Sequence, residues 1–121
     1  MAWQFNQREP VFAQIARRLR VEIVRGKYCP DQQIPPVRQL AFEASVNPNT
    51  MQKALALLEE EGLLHARGTV GRFVTSDADV LNAAKAAMLR DTVRPWLAEA
   101  KTLGISKEEL IHYIKEEDDD L

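Results

Sequence analysis

A single cysteine, Cys29, leaves this 121-residue chain without an internal disulfide and points to a reducing setting, the cytoplasm. Beside Pro30 it reads as a spacer. Only two histidines occur, His65 and His112. They fall on different segments and have no cysteine or carboxylate at metal-ligand spacing, so no metal and no cofactor is expected. There is no glycine-rich phosphate loop and no nucleophile elbow. The carboxylates gather at residues 59–61 and 116–120, as solvated faces do, rather than as a catalytic pair, so an enzyme is not expected. No run of about 18 apolar residues is present, which argues against a membrane span. The opening MAWQFNQREP lacks the basic-then-apolar layout of a signal peptide.

What the chain does have is enough apolar residues, 45%, for a folded protein, and a length suited to one ordinary domain plus a short appendage. Its net charge of −2 hides a polarity. Through Thr75, ten basic residues stand against seven acidic ones, a balance of +3; beyond it six stand against eleven, a balance of −5. A basic front hints at a polyanionic partner for that half.

The pattern predicts a mainly α protein with one small β-hairpin. Phe12, Ile15, Leu19 and Ile23 give a first helix, opened near Pro10 and ended by Gly26. Residues 27–35 read as a loop. Val37, Leu40, Ala41 and Ala44 then give a second helix over residues 36–44. After a break at Ser45-Val46, Asn47 caps a third helix with Pro48 at its first position. That helix runs to Glu61 and buries Met51, Ala54, Leu55 and Leu58, and Gly62 supplies its left-handed exit. Two short helices joined by a few residues are a helix-turn-helix candidate. Strands over 63–67 and 72–75, around Gly68-Thr69-Val70-Gly71, add a wing behind it. A capping box of Ser76 and Asp79 opens a long helix toward Leu103, which Pro95 kinks or splits. Gly104 ends it. A second capping box over residues 106–109 starts a last helix, with Ile105 and Leu110 placed as a hydrophobic staple, and residues 116–120 form a frayed acidic end. The division is thus 1–75, a winged helix-turn-helix domain, and 76–121, a helical tail.

The third helix carries the functional signal. Opposite Met51, Leu55 and Leu58 it presents Asn49, Lys53 and Ala56, with Gln52 on the flank. Asn and Gln make paired hydrogen bonds to adenine, Lys donates to guanine O6/N7, and Ala56 is small enough to let the helix sit deep in a major groove. Its start is expected to offer unpaired N–H groups to phosphate, with the Thr50 hydroxyl alongside. Arg38 stands in the first turn of the second helix, where a cation opposes the helix dipole and a phosphate contact explains it. Arg67 and Arg72 flank the wing glycines; Gly71 lets the backbone approach a sugar or phosphate, and arginine suits a minor groove.

PVFAQIARRLR, IPPVRQLAFEASVNPNTMQKALALLEEEGLL and RGTVGRFV together resemble the DNA-binding domain of the GntR family of bacterial repressors over roughly residues 10–74. The VNPNT segment and the short tail resemble its YtrA-type subfamily, whose C-terminal part is a small helical dimerisation unit. The resemblance implies double-stranded DNA as partner and DNA contacts at Pro36, Val37, Arg38, Asn47, Asn49, Thr50, Gln52 and Gly71; the reading of the residues adds Lys53, Arg67 and Arg72. Three positions depart from the family pattern: Pro36 replaces a usual serine, Pro48 an arginine, and Thr69 a wing glycine.

The tail's apolar set of Leu81, Ala84, Met88, Leu89, Trp96, Leu97, Ala100 and Leu103 exceeds what one short following helix covers, so a homodimer is expected, and with it an inverted-repeat operator. The residues identify no small-molecule effector. A tail of this size does not enclose one within a single chain, which leaves the dimer interface or the space between tail and winged domain for any effector. The alternative function is a winged-helix protein-interaction adaptor without DNA binding, which would place an apolar patch where Asn49, Gln52 and Lys53 stand.

Overall fold

The apolar stripes drive the assembly of the N-terminal part. In a computed structural model that describes residues 2–117, helix α1 (Val11–Val24) buries Ile15, Ala16, Leu19 and Ile23. Helix α2 (Val37–Ala44) buries Leu40, Ala41 and Ala44, and helix α3 (Pro48–Glu60) buries Met51, Ala54, Leu55 and Leu58. These stripes meet in one core with Tyr28, Ile34, Leu63, Leu64 and Val74, and Phe12 and Val37 pack at its edge. An ion pair between Arg20 and Glu61, with donor–acceptor distances of 2.8 and 2.7 Å, ties α1 to the end of α3.

The turn between α2 and α3 follows the expected chemistry. Ser45 adopts the left-handed conformation (φ 56°) that ends α2, and Asn47 caps α3 by accepting the Asn49 N–H at 2.7 Å. Gly62 (φ 82°) turns the chain out of α3 into strand β1 (Leu64–Arg67). Strand β2 (Gly71–Val74) pairs with it antiparallel, Leu64 opposite Val74 and Arg67 opposite Gly71.

The loop expected over residues 27–35 is more ordered than its composition suggests. Gln33 forms a bridge to Phe73, the Ile34 N–H donates to the Arg72 carbonyl at 3.0 Å, and the Val74 N–H donates to that of Gln32 at 2.9 Å. The free edge of β2 is thereby covered, so the wing is anchored on both sides. Thr69, at the wing tip, needs no left-handed backbone, because Gly68 (φ 52°) and Gly71 (φ 143°) take the positive angles.

Helix α4 (Ala78–Thr102) corrects one expectation and narrows another. Its cap is Asp77, whose carboxylate accepts the Asp79 N–H at 2.9 Å, and not Ser76; the Thr75 hydroxyl accepts the Asp77 N–H and moves the cap one residue on. The helix is also continuous through Pro95 rather than split. The missing Pro95 N–H costs one bond, to the Asp91 carbonyl, and the turns on either side carry the helix past it. Helix α5 (Lys107–Glu116) starts with the expected capping box of Ser106 and Glu109. In the acidic end, Glu116 closes α5 and Glu117 follows it; residues 118–120 lie outside the described residues.

Two compact units divide within α4, Met1–Ala84 and Lys85–Leu121. In the first, Val80, Leu81 and Ala84 pack against the core of the winged domain. In the second, Ala100 is the buried residue of α4, and α5 buries none.

Candidate nucleic-acid interface

Asn49, Gln52, Lys53 and Ala56 all lie exposed on the face of α3 opposite its buried stripe. This face is polar, as base readout requires, and carries no large apolar side chain. The Lys53 ammonium sits 4.2 Å from the centre of the Phe12 ring, a cation–π contact that steadies it at the α1 side of this face. Thr50 is half-buried.

The expectation of free N–H groups at the start of α3 fails. Pro48 has none, that of Asn49 goes to the Asn47 side chain, and those of Thr50 and Met51 reach the Asn47 carbonyl at 3.0 and 3.2 Å. Asn47 thus spends its side-chain oxygen on the cap, and the first turn of this helix offers side chains rather than open backbone donors.

The start of α2 is the opposite case. Its cap position holds Pro36, which has no side-chain acceptor, and no side chain caps the helix. Among the described residues the N–H groups of Val37, Arg38 and Gln39 have no backbone or side-chain acceptor, and only that of Leu40 is bonded back, to Pro36 at 3.1 Å. Three open donors at the positive end of a helix, with the exposed Arg38 unpaired beside them among the described residues, leave this end of the surface available to an anion. The family's usual serine at this position would cap one of these donors; Pro36 leaves them open.

The wing joins both helices. Pro36 and Val37 share a depression of about 200 Å³ with Thr69, Val70, Gly71 and Arg72. Two observations favour glycine at position 71, the backbone angle above all. Its φ of 143° disfavours any side chain, and a Cβ there would lie 2.6 Å from the Gln33 amide nitrogen, which donates to the Val70 carbonyl at 2.9 Å. Arg67 is not free, since its guanidinium pairs with Asp31 and lies 4.0 Å from the centre of the Phe73 ring. Arg72 is less free still. Only 17% of its side chain is exposed; it pairs with Glu59 and reaches the Gln52 amide oxygen at 3.5 Å.

One surface therefore collects Pro36, Val37, Gln52, Gly71 and Arg72 from three elements. Sequence reasoning missed Gln33, which holds the Val70 carbonyl of the wing, and Asp31 and Glu59, which hold the Arg67 and Arg72 side chains. Asp31 and Gln33 carry no pattern in a loop, and Glu59 sits in an acidic run that reads as solvated.

Residues 12–74, just the segment that builds this core and wing, match the gntR family of bacterial regulatory proteins. The chain belongs to that family. One relative, the HTH-type transcriptional repressor YtrA of Bacillus subtilis, is 30% identical over 108 residues, which cover 88% of this chain and 83% of that one. A GntR family transcriptional regulator from Listeria monocytogenes superposes with a TM-score of 0.84 at 30% identity, over 94% of this chain and all of the other. The DNA-binding domain of AraR, solved in complex with operator ORX1, superposes with a TM-score of 0.57 at 29% identity, over 62% of this chain and 95% of the other. The first two matches extend beyond the winged domain into the tail, as expected for the YtrA type. Members of this family are transcriptional regulators, and no helix among the described residues is long and apolar enough to cross a membrane.

Proposed function

We propose that this chain is a cytoplasmic, sequence-specific transcriptional repressor without enzymatic activity, which binds an inverted-repeat DNA operator as a homodimer. The observation that carries the reading is the polar face of α3, flanked by the uncapped start of α2 and by the anchored wing. The operator-bound likeness of the AraR domain and the repressor likeness of YtrA support it. Asn49, Gln52 and Lys53 contact bases in the major groove. Pro36, Val37, Arg38, Asn47 and Thr50 seat the phosphate backbone, and Gly71 and Arg67 bring the wing to the adjoining groove. The tail, residues 76–121, forms the dimer. An adaptor without DNA binding is disfavoured, because the α3 face lacks the apolar patch such a role needs.

Selection of bound duplexes from a random pool tests this. The expected winner is a palindrome with half-sites about one helical turn apart. Arg38→Ala should weaken binding to every duplex and flatten the salt dependence by about one unit, whereas Lys53→Ala should alter preference at one base pair of each half-site. Recovery of no consensus, with binding equal on all duplexes, overturns the reading.

A further inference from the structure

Arg72 does not behave as a wing arginine free to enter a groove. Its side chain lies back against α3, with Nε paired to the Glu59 carboxylate and Nη1 pointing at Oε1 of Gln52 at 3.5 Å. The Glu59 pair is more sheltered from solvent than the Arg67–Asp31 pair, where the side chains are 44% and 59% exposed against 17% and 33% here. A guanidinium is a rigid planar fork, so the bond from Nε to Glu59 restrains the direction of the other donors. The fork then decides how the neighbouring amide turns. Gln52 is exposed and has no other hydrogen-bond partner among the described residues, so Arg72 is what distinguishes its oxygen from its nitrogen.

We propose that Arg72 is a positioning residue for base readout: by holding the Gln52 amide oxygen, it turns the amide N–H donors outward, so that Gln52 selects an acceptor edge instead of adenine. The inference rests on the DNA-binding reading above. A glutamine reads adenine by laying oxygen and NH₂ side by side on N6–H and N7. An amide whose oxygen is turned back to a fixed guanidinium offers the base only donors. Donors match guanine O6 and N7, or thymine O4, in the major groove. The wing thereby sets specificity at a base pair that it need not touch, and Glu59, by holding Arg72, becomes part of the same device.

Binding of the full chain to duplexes carrying each base at each half-site position tests this. The position read by Gln52 is the one whose preference Gln52→Ala erases. The unchanged chain should prefer guanine or thymine there, and Arg72→Ala should reduce that discrimination about tenfold while leaving preferences elsewhere in the half-site intact. In the Gln52→Ala background, Arg72→Ala should change no preference further. Should Arg72→Ala fold poorly, Gln52→Glu serves in its place: it keeps the acceptor for Arg72, loses the donors, and should shift the preference to cytosine, whose N4 amine donates. An adenine preference at this position overturns the proposal. So does an equal loss on all duplexes with Arg72→Ala, or an effect of Arg72→Ala on preference that survives without Gln52. A lack of any sequence preference in the unchanged chain removes the DNA reading itself, and is seen before any variant is made.

Discussion

The two compact units of this chain are built on different terms. The winged unit has a core with Ile15, Leu19, Leu40, Met51, Leu55, Leu58, Leu63 and Val74 essentially closed to solvent. Among the described residues all five ion pairs lie there as well, between residues 9 and 72. Among the described residues the C-terminal unit has no such core. Leu89, Trp96, Leu103, Ile111, Tyr113 and Ile114 are each at least half exposed, and among the described residues of this unit Ala100 alone is buried. A unit with a closed core and internally paired charges specifies its own fold. A pair of helices with this much exposed apolar surface gains stability by covering it with a second chain, which is why we assign the dimer to the tail.

That contrast breaks most visibly at the exposed aromatic of α4. Trp96→Asp places a charge in the surface we assign to the dimer, while the winged core is untouched. Sedimentation should show a dimer for the unchanged chain and a monomer for this variant. Affinity for a palindromic operator should fall by roughly 10²–10⁴, the avidity that linking two heads supplies, with single half-site affinity unchanged. Met88, Leu89, Leu97 and Leu103 belong to the same expectation; Leu81 and Ala84 less so, since both already pack against the winged core. A dimer that persists with Trp96→Asp, together with unchanged palindrome affinity, would show that the tail is not the interface.

A smaller effect separates the units through their helix caps. Asn47 and Ser106 both cap by accepting a backbone N–H, at 2.7 and 3.1 Å. Loss of the Asn47 cap frees a donor at the start of a helix that lies in the closed core, so Asn47→Ala should lower global stability by about 1 kcal/mol in denaturant titration. Ser106→Ala removes a cap from a helix with no buried residue. It should speed amide exchange in the first turn of α5 and leave the main unfolding transition of the winged unit in place. Equal shifts of that transition by both variants would mean that the two units unfold as one.

How much was legible in the sequence follows the same line. The helix-turn-helix could be read because its signals are local: Asn47 and Pro48 fix one helix start, Gly62 fixes an exit, and the stripes have helical spacing. The start of α4 was misplaced by one residue because Ser76 and Asp77 both have capping side chains, and the choice depends on the Thr75 hydroxyl. The wing's fastening could not be read at all. Gln33 reaches Val70 across 37 residues and Arg67 reaches Asp31 across 36, and such partners are chosen by the fold rather than by spacing. Likewise, the sequence pattern predicts open N–H groups at the start of α3. They are closed by Asn47, and the open donors belong to α2, where a proline stands at the cap.

The smallest effect concerns the charges that the winged unit keeps to itself. Arg67 pairs with Asp31, so a phosphate that recruits this guanidinium competes with a carboxylate for it. Both side chains are largely exposed, and such a pair contributes little to stability, about 0–1 kcal/mol. Asp31→Asn should therefore leave the fold intact and relieve the competition. Asn is also well suited to the left-handed backbone at this position (φ 66°). DNA affinity should rise a few-fold, about equally on matched and mismatched duplexes, because a phosphate contact carries no sequence information. Arg67→Ala should lower affinity in the same uniform way, and Asp31→Asn should add nothing once Arg67 is gone. If Asp31→Asn instead raises affinity equally in the presence and absence of Arg67, the gain comes from net charge alone, and the paired arginine is not held in reserve for DNA.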